Sequence, residues 1–180
     1  MHNNSKNGFT LIELLVVISI IGTLSTIAMT SLNGARAKAR DAVRISDAEQ
    51  IVIALELYKS TYGQYPGNTD NDDGGWDRGY SGGAASGDTF IKPLVDAGLF
   101  SATPGDPTNT AVLGGYRYYR YSAGYYGRCD PALGAVYVFN VYFETTAYSS
   151  KRPTFSCPAG SNGTISWTGK TWNSWGAFEN

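Results

Sequence analysis

Between Phe9 and Met29 the chain has one ionisable side chain, Glu13, in a run that is otherwise apolar or weakly polar. As a helix that run rises about 30 Å, the thickness of a bilayer's hydrocarbon core. A carboxylate at such depth costs about 2.5–3.5 kcal/mol on insertion scales, so Glu13 is read as a functional group. The single histidine is His2, ahead of the run, so the chain beyond it has no imidazole to activate a nucleophile or bind zinc. Cys129 and Cys157 read as a disulfide in an exported chain, worth roughly 3–4 kcal/mol on the chain-entropy model; two buried thiols are the alternative. Asn68, Asp70, Asp72 and Asp73 present alternating hard oxygens of the kind Ca2+ takes. No Glu follows at the twelfth position of an EF-hand, and a solvated acidic loop is the other reading. No cofactor is expected from the residues, Ca2+ at this loop being the one alternative. Trp167, Trp172 and Trp175 stand among Asn, Ser and Gly, a composition suited to carbohydrate stacking or subunit contact, or to packing on the chain's own sheet.

Gly8-Phe9-Thr10-Leu11-Ile12-Glu13, behind a short polar leader carrying Lys6, resembles the class III signal of type IV pilins and of type II secretion pseudopilins. The motif elements are a Gly, then Phe, then Glu five residues after the Gly, all opening an apolar run. The resemblance covers the first thirty or so residues firmly and the following helix less firmly. It implies cleavage between Gly8 and Phe9 by a prepilin peptidase and N-methylation of the new Phe9 amine. It also implies a structural subunit and not an enzyme, stored in the bacterial cytoplasmic membrane with its head outside. Membrane-embedded assembly machinery would then polymerise it through its N-terminal helix into a cell-surface pilus-like filament. Glu13 of an incoming subunit would pair with the Phe9 amine of its neighbour. A pseudopilin of a type II secretion or DNA-uptake system is the alternative within this class. A membrane-anchored glycan-binding or adhesion module, resting on the Trp-rich tail, is the alternative from another class. Two features run against the resemblance: basic Arg36, Lys38, Arg40 and Arg44 follow the apolar run, against the positive-inside rule, and no Pro occurs before Pro66. A small-residue site at Ala35-Arg36-Ala37 lies well past the run, which makes ordinary signal-peptidase cleavage the runner-up reading.

The elements that must position these residues follow from patterning. The fold class is α+β: a long N-terminal helix whose hydrophobic half protrudes and whose C-terminal half packs on an antiparallel sheet. Residues 1–8 form the leader, 9–34 the membrane or filament-core helix and 35–180 the head. Within the head, an amphipathic helix spans 35–62, a loop 63–110, and the sheet with the C-terminal region 111–180. Ile45, Ala48, Ile51, Val52, Leu55, Tyr58 and Tyr62 form one apolar stripe at helical spacing, stopped by Gly63 and Pro66. Gly22 and Asn33-Gly34, with several Ser and Thr between, predict local unwinding. A short helix follows Asp88 or Thr89, with Phe90, Leu94 and Val95 inward and Gly98 at its end. Strands are expected at 116–121, at 135–144 (Tyr137, Phe139, Val141 and Phe143 on one face) and within 154–167. The formal net charge is −1, or −2 once the leader's Lys6 is removed, which gives no electrostatic footprint for nucleic acid. Gly at 22 and Tyr at 13 suit a β-rich, loop-rich head over a helical bundle.

Overall fold

The computed structural model describes residues 8–69, 75–79, 89–108, 115–124, 129–145, 155–157 and 172–179. The chain divides into two compact units, Met1–Ala37 and Lys38–Asn180.

The first helix, α1, runs without a break from Leu11 to Tyr62. The unwinding expected near Gly22 and Gly34 does not occur. Each glycine costs the helix only about 1 kcal/mol. The hydroxyls that could have competed for the backbone instead bond back to carbonyls of the preceding turn: Ser19 to Leu15, Thr23 to Ile20, Thr26 to Thr23 and Thr30 to Ile27, at 2.7–2.9 Å. Among the described residues of the first unit the large apolar side chains are at least half exposed or close to it, from Phe9 at 89% to Val16 and Leu32 at 49%. α1 ends as expected: Gly63 has φ 77° and its N–H donates to the Lys59 carbonyl at 2.7 Å.

In the second unit four strands form an antiparallel meander in chain order: β1 (Asp77–Gly79), β2 (Tyr116–Tyr121), β3 (Val136–Tyr142) and β4 (Trp172–Phe178). The register sets Tyr118 opposite Phe139 and Phe139 opposite Trp175. Alternation then sorts side chains between two cores. Tyr116, Tyr118, Tyr137, Phe139 and Val141 face Ala48, Ile51 and Leu55 of α1, with Ile45, Val52 and Tyr58 at the margin. This is the stripe and the strand face expected from the sequence, except that Tyr62 stays 54% exposed. Val136, Val138 and Tyr121 point the other way, into a smaller cluster with Trp76 and the Cys129–Cys157 disulfide.

Three expectations are corrected. The predicted loop 63–110 contains a strand, β1, besides the expected short helix, α2 (Lys92–Asp96). Residues 155–157 are not strand, and the rest of 154–167 lies outside the described residues. The fourth strand is instead the C-terminal stretch taken as a tail. Its composition of Trp, Asn, Ser and Gly hides the alternation, because Asn140 and Ser174 satisfy each other by a hydrogen bond where apolar pairs would stand. α2 begins later than expected, after Ile91, while Phe90 and Leu94 are buried and Gly98 ends it at φ 71°.

Candidate functional site

The chemistry-bearing residues at the N-terminus are assembled by one local motif. The Thr10 carbonyl accepts from Leu14 N–H at 3.3 Å, which makes Thr10 the N-cap of α1 and Glu13 the third helical residue. Thr10 donates twice to Glu13 Oε2, from its backbone N–H at 2.9 Å and from Oγ1 at 2.8 Å. The Glu13 N–H donates back to Thr10 Oγ1 at 3.3 Å. This reciprocal capping box satisfies helix N–H groups that have no intrahelical partner. The sequence reading placed Glu13 beside Phe9 but did not single out Thr10, although Thr-x-x-Glu before an apolar run is the written signature of the motif. Gly8 is exposed, and a Cβ there would meet nothing within 4 Å, so the backbone between Gly8 and Phe9 is open to approach. Only one helix among the described residues, α1, is long and apolar enough to cross a membrane.

The other expected sites separate. Cys129 and Cys157 are joined as a disulfide, both 6% exposed. Of the calcium candidates, Asp70, Asp72 and Asp73 lie outside the described residues. Asn68 brackets the β2 backbone: its Oδ1 accepts from Arg120 N–H at 2.7 Å and its Nδ2 donates to the Arg120 carbonyl at 3.3 Å. That oxygen therefore serves the strand edge. Among the described residues no group of three or more His, Cys, Asp or Glu is placed to hold a metal ion. Trp167 and the Trp172 side chain lie outside the described residues. Trp175 packs on Phe139, ring centroids 5.9 Å apart, and lies partly buried at the margin of the larger core.

A buried ion network, unforeseen from sequence, sits where the second unit's helix begins. Arg44 and Asp41 are fully buried. Arg44 grips Asp106 with two parallel bonds, Nε to Oδ2 at 2.8 Å and Nη2 to Oδ1 at 3.0 Å. Its Nη1 donates to Asp41 at 2.8 Å and to Glu144 at 2.7 Å. Asp41 in turn accepts the backbone N–H groups of Glu144 and Thr145 at 3.0 and 2.9 Å, and Arg40 pairs with Glu144. The network ties the segment before β2 and the segment after β3 to α1. Burial works to raise the Asp106 carboxyl, but hydrogen bonds from Arg44 and Thr108 outweigh it and hold its pKa below the ordinary value. The hydrogen bond from Arg40 likewise lowers Glu144, against burial and with help from Arg44. Two of the four basic residues that offended the positive-inside rule are thus structural charges of the second unit.

At the other end of the sheet, Glu179 accepts from Arg120 Nε at 2.6 Å and from Tyr65 N–H at 2.9 Å, while Lys59 donates to the Phe178 carbonyl at 3.0 Å. These bonds staple β4 to the end of α1.

Comparison with known proteins agrees with the N-terminal geometry. Residues 3–29 match the family model described as the prokaryotic N-terminal methylation motif. The type II secretion system core protein G of Klebsiella michiganensis is 38% identical over 66 residues, 37% of this chain and 46% of that protein. The corresponding protein of Escherichia coli strain K12 is 38% identical over 63 residues, 35% of this chain and 43% of its own. A fimbrial protein of Neisseria meningitidis serogroup B is 38% identical over 66 residues, 37% of this chain and 39% of its own. The chain spans less than half the length of each of these relatives. No solved structure matches significantly. The chain thus carries an N-terminal methylation motif on a type IV pilin-like α+β fold, and its matched third is similar to both pseudopilins and pilins.

Proposed function

We propose that this chain is a structural subunit of a type IV pilus-like filament, stored in a membrane through α1 and processed between Gly8 and Phe9. The observation that carries this reading is the capped, exposed apolar run that opens at Gly8-Phe9 and holds one acid, Glu13, in its first turn. Such a surface has no place in water. In lipid or against copies of itself it is covered, and only Glu13 then needs a partner. Cleavage after Gly8 would create a positive amine on Phe9, and N-methylation would leave that charge in place. An ammonium is the partner a carboxylate in an apolar filament core requires, because an unpaired buried charge is far costlier than a paired one.

Both kinds of relative fit this reading. A subunit of a secretion pseudofilament is the specific alternative, favoured by the similarity to the type II core proteins. Two measurements test the shared reading. Mass spectrometry of the mature N-terminus should find N-methyl-Phe at position 9; an intact leader would refute it. Glu13→Gln should leave processing and membrane insertion intact and cut filament yield sharply; filaments of normal number and length from this variant would defeat the pairing role.

A further inference from the structure

We infer that Thr10 is the positioning residue for the Glu13 carboxylate, an inference that rests on the assembly role proposed for Glu13. Both Thr10 donors converge on one carboxylate oxygen, Oε2, while the hydroxyl oxygen accepts the Glu13 N–H. Three bonds between two side chains and their backbone leave the carboxylate little rotational freedom. The latch draws it back toward the start of the helix, over the residue that follows Phe9, and away from the path a free Glu would sweep along the helix flank.

Oε1 has no hydrogen-bond partner among the described residues. A neighbour's ammonium can therefore bind at Oε1 while Thr10 keeps Oε2, so the latch and the intersubunit pair are compatible. Before cleavage, the Phe9 nitrogen is an uncharged amide, and among the described residues Thr10 is the only partner of the carboxylate. The same residue thus compensates Glu13 in the stored precursor and aims it in the assembling subunit. Thr or Ser can do this, because a hydroxyl both donates and accepts. Val has the shape without the donor. Asp would set a second carboxylate against the first.

The test uses the full-length protein in cells that assemble the filament, with Thr10→Val, Thr10→Ser, Glu13→Gln and the Thr10→Val/Glu13→Gln double variant. Each is co-expressed with wild-type subunits. Its processing is read by mass spectrometry, and its incorporation is read as the fraction it contributes to mixed filaments, a quantity that stays measurable for weak variants. The expected result is normal processing throughout. Thr10→Val should lose about tenfold in incorporation, the scale of one hydrogen bond to a charged group, and Thr10→Ser should stay within about twofold of wild type. In the Glu13→Gln background, Thr10→Val should cost much less than it does alone, because the charge it positions is gone. Normal incorporation of Thr10→Val beside impaired Glu13→Gln overturns the positioning role alone. So does an equal loss from Thr10→Val in both backgrounds, which marks a helix cap and nothing more. Normal incorporation of Glu13→Gln overturns the underlying assembly role and this inference with it.

Discussion

Arg44 illustrates how one side chain can organise a region that sequence patterning describes only as basic. Its guanidinium is fully buried and meets three carboxylates, two of them 62 and 100 residues away. The Asp41/Arg44 pair at helical spacing is visible in the sequence, but its burial is not, because the partners are set by loop closure around the sheet. Removing one member of a buried network leaves the others uncompensated, so Arg44→Met should destabilise the second unit by about 3–5 kcal/mol at neutral pH. Urea unfolding followed by tryptophan fluorescence measures this, and a loss below about 1 kcal/mol would mean the network is dispensable. The same groups set an acid limit. Asp106 and Glu144 have pKa values held below their ordinary 3.8 and 4.5, so their stabilisation is complete above those values and is lost as pH falls through the lowered ones. Asp47 works in the opposite sense: burial raises it, against a hydrogen bond from Tyr116, so its protonation relieves a cost as pH falls. Glu179, which burial works to raise but Arg120 holds down, adds to the lowered group. With three lowered acids against one raised in the second unit, wild-type stability should hold from neutral to about pH 5 and decline below about pH 4. In Arg44→Met the acid decline should flatten, since protonation there discharges carboxylates that have lost their guanidinium.

At the scale of elements, the helix and the two central strands were legible because their periods are clean. The α1 stripe around Ile51 and Leu55 and the Tyr137, Phe139, Val141 face of β3 stand where the sequence puts them. β1 and β4 were missed for a shared reason: three residues of Asp-Arg-Gly carry no period, and in β4 polar Asn173 and Ser174 are buried beside Gly176. Gly176 has a steric reason to be there. A Cβ at that position would lie 2.6 Å from the Phe155 ring and 2.7 Å from the Tyr137 carbonyl oxygen, and the second of these is backbone in the central strand. Gly176→Ala should therefore cost about 1–3 kcal/mol by overpacking, measured by thermal unfolding. A variant with Phe155→Ala added would recover only part, since the Tyr137 contact persists. The segment Phe155 leads to Cys157, and the disulfide closes a loop with a sequence separation of 28. Reduction should lower stability by about 3–4 kcal/mol. An unchanged melting temperature in reductant would show that the native contacts already hold this loop.

At the scale of the molecule, the two units differ in what covers them. The first, Met1–Ala37, leaves its large apolar side chains exposed; in the second, Lys38–Asn180, the buried residues run from Asp41 to Ser174 and form both cores and the ion network. The second unit therefore holds both cores within itself, and the first presents the apolar surface that the proposed storage in lipid or bundling with copies of itself would cover. This division was legible at the N-terminus, where one acid in an apolar run is unambiguous. It was less so at residues 36–44, where charges read as flanking a membrane proved partly to be structural. A chain beginning at Lys38 should express as a soluble monomer, binding neither membranes nor its own copies at micromolar concentration. Its melting temperature should lie within about 4 °C of that of the full chain in mild detergent, a difference of about 1 kcal/mol for a domain of this size. Analytical ultracentrifugation and thermal unfolding by circular dichroism supply the two readings. A truncated chain that aggregates, or melts more than about 10 °C below the full-length protein, would show that the apolar helix is part of the second unit's folding core. Anchoring and folding would then be one function and not two.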